Sequence, residues 1–270
     1  MALTPLQRDV CSLLAAGRRD RGESYVAGGV ALSVALQSQR FSRDVDVFHD
    51  SVGAVASSWD RDRSALEAGG YSVTPLRERP GYVEAVVTRA SDQLVMEWAR
   101  DSAFRFFPLV EDAQLGLALH PFDLATNKVL ALVGRLEVRD WVDVLACDRQ
   151  IQPLGFLAWA ACGKDPGFTP HGILAQARRS SHYAEEEAAS LAFDGPAPRA
   201  ADLSRQWHDA LDSATAVLDG LPRMHVGEAV LTPESTLFTG GALALDEAFA
   251  RDGLVFHRGR LGGPLPRLKL

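Results

Sequence analysis

A chain of 270 residues, 47% hydrophobic and 23% charged, has the make-up of an ordinary globular protein and the length for one large domain or two modest ones. Its net charge of −7 argues against a generic polyanion binder, while leaving room for a local basic patch. No apolar run reaches the roughly 18 residues of a membrane span, so no membrane partner is expected. Cys11, Cys147 and Cys162 lie far apart without CxxC spacing. They read as buried or idle thiols in a reducing compartment rather than a disulfide framework or a zinc site. The opening MALTPLQRDV lacks the basic and apolar regions of a signal peptide, and a cytoplasmic location is the expectation. The histidines are scattered, so any metal should be a hard ion on oxygen ligands.

In chain order, Thr4-Pro5 begins a helix with a capping hydroxyl and a proline at its first position. Leu6, Val10, Leu13 and Leu14 give that helix an apolar stripe, and it ends in the run 18–22. Residues 24–27 read as a short strand, Gly28-Gly29 as a turn, and residues 30–39 as a helix rich in Ala, Leu and Val. A second strand covers 43–48. A helix over 51–68 stops at Gly69-Gly70. Strands are expected at 71–76, 82–89 and 93–99, with Arg79-Pro80-Gly81 and Ser91-Asp92 turning between them. Strands this close together after an αβαβ opening favour a mixed sheet in an α+β fold over a regular doubly wound one. Residues 104–108 read as the exit from this domain, and from Pro121 the patterning becomes helical.

Within this frame the stretch from Tyr25 to Phe48 carries the chemistry. Side chains two apart on a strand share a face, so Asp44 and Asp46 point one way while Val45 and Val47 point the other. Two adjacent carboxylates repel unless a cation lies between them, and Mg²⁺ on a nucleoside triphosphate would meet that need. The glycine pair at a helix start admits two readings: a triphosphate cradle built from backbone N–H groups, or an ordinary tight turn. Neither GxGxxG nor the P-loop pattern is present.

The sequence G-G-x-A-L, a helix, then R-x-S-x-D-x-D-x-F (Gly28, Gly29, Arg40, Ser42, Asp44, Asp46) resembles the opening motif of the DNA-polymerase-β-type nucleotidyltransferases, and in particular their AbiEii/AbiGii toxin branch. Asp123-Leu124-Ala125-x-x-Lys128, Ala131-Leu132, Arg135 and Arg139-Asp140-x-x-Asp143 resemble the family's second block. Together the two motifs span roughly residues 25–48 and 123–145, and the C-terminal third matches nothing.

The resemblance implies that Asp44 and Asp46 hold Mg²⁺, in a two-metal site, and that a third carboxylate on a neighbouring strand completes it or serves as base. Glu97 is the candidate, at a position where the family commonly has aspartate, with Asp92 and Asp101 as alternatives. It further implies that Gly28 and Gly29 cradle phosphate, that Lys128 neutralises the triphosphate, and that Asp143 lines the site. The residues alone also allow a solvated Lys128 and an i,i+4 pair between Arg139 and Asp143. Arg40 and Ser42 either hold phosphate or cap the strand.

The expected organisation is therefore an α+β, nucleotidyltransferase-like mixed sheet with helices over residues 1–110, an all-helical domain over 111–222, and an extended appendage over 223–270. The implied activity moves an NMP from an NTP to an acceptor hydroxyl, typically the 3′ end of tRNA in the toxin branch, with a DNA-binding antitoxin as partner. An antibiotic-modifying transferase and a non-catalytic nucleotide sensor are the alternatives. Arginines at 18–21, Arg77 with Arg79, Arg178 with Arg179, and Arg258, Arg260, Arg267 and Lys269 are leads for contacts to an RNA acceptor.

Overall fold

Alternating burial along the central strands sorts this chain into layers. The computed structural model describes residues 3–180, 183–266 and 268, so the Arg267 and Lys269 of the basic tail lie outside the described residues. The N-terminal part runs α1 (Pro5–Arg21), β1 (Tyr25–Ala27), α2 (Gly28–Ala35), β2 (Asp44–His49), α3 (Val52–Ala68), β3 (Ser72–Arg79), β4 (Tyr82–Arg89) and β5 (Asp92–Arg100). After β6 (Phe104–Arg105) come β7 (Val110–Asp112), β8 (Gly116–Ala118), α4 (Pro121–Arg135), α5 (Val138–Gln150), α6 (Leu154–Lys164), α7 (Pro170–Ala177), α8 (Glu185–Ala189) and α9 (Ala200–Gly220). The chain closes with β9 (Glu228–Leu231), α10 (Ala242–Phe249), β10 (Val255–Arg258) and β11 (Arg260–Leu261). It divides into two units, the first made of residues 1–103, 109–120 and 192–195, the second of 104–108, 121–191 and 196–270.

The first unit is built on a mixed seven-stranded sheet in the order β3-β4-β5-β2-β1-β8-β7. The pairs β2–β5 and β1–β8 are parallel and the remaining pairs antiparallel. Val45, Val47, Val83, Ala85, Val87, Met96 and Trp98 are buried on one face. Helices α1 and α3 pack on this sheet. The box predicted at Thr4-Pro5 forms, with Thr4 and Gln7 satisfying each other's backbone N–H groups. Trp98 donates its indole N–H to Asp62 of α3 (3.0 Å), and Asp62 also meets Arg21 of α1 (3.3 Å), so one buried carboxylate ties two helices to β5. The strand expected at 71–76 runs on to Arg79, through an irregularity between Pro75 and Arg77.

The second unit is mainly helical, as the patterning after Pro121 predicts, and adds the two-stranded sheets β9–β10 and β6–β11. Residues 104–108, read from the sequence as an exit, are folded into it. Phe106 and Phe107 are fully buried, and their N–H groups donate to the carboxylate of Asp123 at 2.9 and 3.1 Å. Lys164 meets that same carboxylate at 2.8 Å. The stretch after residue 223 also belongs to this unit: β9 is buried along its whole length, and Gln152 donates to the Val230 carbonyl (2.9 Å). Among the described residues no helix is long and apolar enough to cross a membrane.

Candidate active site

Strand β2 alternates half-buried Asp44, Asp46 and Phe48 with buried Val45, Val47 and His49. The apolar residues fix the register, because a one-residue slip would turn every side chain to the wrong face. Asp44 and Asp46 are thereby committed to the face opposite the core. Parallel pairing sets Asp46 beside Glu97 and Asp44 beside Val95. Of the three acids named for the third position, Glu97 is the one in register with Asp46. Asp92 sits exposed at the start of β5, opposite Arg89, and Asp101 follows the end of that strand.

Beside this strand the glycine pair has a steric reason. Gly28 follows β1 at φ +64°, and a Cβ built there would lie 1.7 Å from the Oδ2 of Asp46. A Cβ on Gly29 would lie 2.3 Å from the Ser42 hydroxyl and 3.5 Å from the Arg40 guanidinium. The backbone at the start of α2 thus passes directly against the Asp46 carboxylate, an approach only glycine permits. Arg40 is buried and donates to the Phe41 carbonyl (3.0 Å), while the Ser42 carbonyl accepts from Gln7 (2.7 Å). Gly28, Gly29, Arg40, Ser42 and Asp46 therefore form one cluster, with Asp44 and Glu97 on the same sheet face.

The patterning of β4 and β5 supplies two residues that the sequence reading did not name. Glu84 is the direct cross-strand neighbour of Glu97, and Tyr82 is that of Ala99. Burial pushes the Glu97 carboxyl above its ordinary value of 4.5, and the charges of Glu84 and Asp44 push it further. The Tyr82 hydroxyl donates to Glu97 and, with Arg77, draws it part of the way back. The signal for both residues was the strict alternation of 82–89, which puts Tyr82 and Glu84 opposite buried Val83 and Ala85.

Asp44, Asp46 and Glu97 offer hard oxygen donors, the chemistry that Mg²⁺ takes. Among the described residues, however, no three acidic, histidine or cysteine side chains converge as a ready-made metal cage. The fit is to an ion held by the two carboxylates of one strand, with its remaining ligands drawn from substrate and water, which is how Mg²⁺ is commonly bound.

Lys128 and Asp143 belong to the second unit. The Lys128 ammonium, buried rather than solvated, lies 3.1 Å from Asp140 and 3.0 Å from Asp143. Asp140 is fully buried and also accepts two bonds from Arg135, at 2.6 and 2.9 Å. Burial pushes its carboxyl up, but the Arg135 hydrogen bonds and the Lys128 charge outweigh this and hold it below 3.8. Arg139 pairs with Glu137 (2.6 Å) instead of reaching one turn forward to Asp143. This lysine–acid set in the second motif block ties α4 to α5.

No family model matches the chain, and no curated protein matches it. Solved structures do. The chain is similar to JHP933 from Helicobacter pylori, at 13% identity over 81% of this chain and 95% of that one, with a TM-score of 0.53. It is similar to a candidate nucleotidyltransferase from the same organism, at 13% identity over 80% and 96% and a TM-score of 0.52. It is also similar to MenT4, a nucleotidyltransferase toxin of Mycobacterium tuberculosis, at 15% identity over 78% and 83% and a TM-score of 0.54. At these identities the likeness is one of fold, and the mixed sheet with its helices is nucleotidyltransferase-like.

Proposed function

We propose that the chain is a Mg²⁺-dependent nucleotidyltransferase that moves an NMP from an NTP to an acceptor hydroxyl. One observation carries this reading: the Gly28 backbone lies so close to Asp46 that no side chain fits between them. A phosphate lying on the start of α2 would therefore sit beside the two carboxylates of β2. Asp44 and Asp46 would hold Mg²⁺, which when bound would supply charge neutralisation to the triphosphate. The backbone N–H groups at Gly28 and Gly29, with Arg40 and Ser42 beside them, orient the phosphates. Glu97 receives the proton of the attacking hydroxyl, a task suited to a carboxyl whose proton affinity is raised by burial. The acceptor oxygen forms a bond to the α-phosphorus as the bond to pyrophosphate breaks. Lys128, its ammonium held by Asp140 and Asp143, has the proposed task of neutralising phosphate charge, and Asp143 fixes it in place.

The tRNA 3′ end is the proposed acceptor, and a toxin role with a DNA-binding antitoxin is the proposed setting. The shared fold with MenT4, a nucleotidyltransferase toxin, supports the toxin setting, while the acceptor and the antitoxin are taken from the family resemblance. The test is incubation with labelled NTPs, Mg²⁺ and total tRNA. Label should appear on tRNA with the wild type and vanish with Asp46→Ala. Label on aminoglycosides or lincosamides in place of tRNA would make the protein a drug-modifying transferase. Tight NTP binding with no transfer to any acceptor would leave it a nucleotide sensor.

A further inference from the structure

Strand β3 breaks its own alternation in a place that matters. Val73 is buried on the core face, so simple alternation would send Pro75, Arg77 and Arg79 to that face and Leu76 and Glu78 to the other. The irregularity between Pro75 and Arg77 absorbs one residue and reverses this. Arg77 pairs opposite Glu84, and Arg79 opposite Tyr82. A row of side chains on one sheet face therefore runs Arg77, Glu84, Glu97, Asp46 across four neighbouring strands. The 3.4 Å contact of Arg77 with Glu84 places the guanidinium on this face. At about 4.8 Å per strand, Arg77 stands roughly 14 Å from Asp46.

We infer that Arg77, Arg79 and Tyr82 form a track for the single-stranded end of a nucleic-acid acceptor, leading its terminal hydroxyl to Glu97. The direction follows from the chemistry of the proposed transfer, on which this inference rests. In-line displacement puts the attacking oxygen opposite the leaving pyrophosphate. The glycine pair, against which the phosphates would lie, is on the β1 side of Asp46. The acceptor then approaches from the β5, β4 and β3 side, where the row ends in two arginines. The Arg77 side chain is 66% exposed, as a phosphate contact requires, and Arg79 is exposed as well. Tyr82 lies half-buried opposite Arg79 and presents a ring for a base to stack on. Paired arginines with an aromatic between strands are the elements of a single-strand platform, with the arginines on β3 at the sheet's edge and Tyr82 on the neighbouring β4. No cluster in the linear sequence showed this interleaving, because Tyr82 joins the arginines only through the hairpin.

The test compares wild type with Arg77→Ala/Arg79→Ala, Arg77→Lys, Tyr82→Phe and Tyr82→Ala. Binding of a labelled single-stranded RNA and of tRNA is followed by fluorescence anisotropy, and transfer kinetics are measured alongside. The double alanine variant should bind RNA at least tenfold more weakly and raise the KM for tRNA similarly, with the KM for NTP unchanged. The slope of log affinity against log salt should become shallower by about 1.4, the value for two lost single-strand phosphate contacts. Arg77→Lys should recover part of the loss. Tyr82→Phe should keep RNA affinity, whereas Tyr82→Ala should lose it. Unchanged RNA affinity in the double variant, an equal rise in the KM for NTP, or no RNA binding by the wild type would overturn the track. RNA binding that needs these residues, in a protein without Asp46-dependent transfer, would uphold the surface and defeat the transferase reading instead.

Discussion

Replacing Gly28 with alanine separates the fold from the chemistry. A non-glycine residue in the left-handed region, where Gly28 sits at φ +64°, costs about 1–2 kcal/mol. The larger effect is local. The new Cβ would lie 1.7 Å from Asp46 Oδ2 and 2.7 Å from its Cγ, where ordinary contact begins at 3.4 Å. The carboxylate must therefore swing away by roughly 1.5 Å, and a displacement of about 1 Å in a catalytic array is enough to lose on the order of 10²-fold in rate. Gly28→Ala should thus melt only a few degrees below wild type while transfer falls by about 10²-fold or more. Gly53→Ala is the control, since a Cβ in that turn of α3 meets nothing within 4 Å. It should keep full activity and gain up to about 1 kcal/mol from helix propensity. Thermal melts and initial rates with saturating NTP decide the matter. Transfer within a few-fold of wild type in Gly28→Ala would refute the reasoning, because Asp46 would then not need its observed position.

Two further outcomes concern stability and reactivity. Asp140→Ala leaves Arg135 without its bidentate partner and Lys128 with Asp143 alone, and should cost about 3–5 kcal/mol in urea unfolding. Because the folded carboxyl is held below 3.8, its contribution is present above that pH and drains away as pH falls through the folded value, so wild type and variant should converge in acid. An unchanged urea midpoint at pH 7 would rule out this buried network as a support. Burial pushes the thiol of Cys11 up to about 11 and that of Cys162 up to about 12, and raises Cys147 as well. A thiol-disulfide reagent at pH 8 should consequently leave the folded chain unlabelled and react three times per chain in denaturant; a fast-reacting native thiol would contradict the burial. Since unfolded thiols ionise from about pH 9, stability tied to Cys11 should fall as pH rises from there towards 11.

Much of the first unit was legible in the sequence because its signals are local. Thr4-Pro5 capped a helix, the patterns over 43–48 and 82–89 made strands (the first lies at Asp44–His49), and two-residue spacing put Asp44 and Asp46 on one face. The α+β class followed from the order of those elements. Other features needed the tertiary structure, because they depend on partners distant in the chain. The burial of Phe106 and Phe107 rests on Asp123 and Lys164, distant partners without which residues 104–108 read as the exit from the first domain. Lys128 read as either a solvated or a ligand lysine, and only the packing of α4 on α5 paired it with Asp140 and Asp143. The requirement for glycine at 28 was visible as a doublet, but its reason, the Asp46 carboxylate beside it, comes from the pairing of β1 with β2. The irregularity in β3 is the clearest case. A one-residue shift leaves no mark on composition or periodicity, yet it decides which face of the sheet carries Arg77 and Arg79, because strand side chains alternate and a single extra residue exchanges the faces.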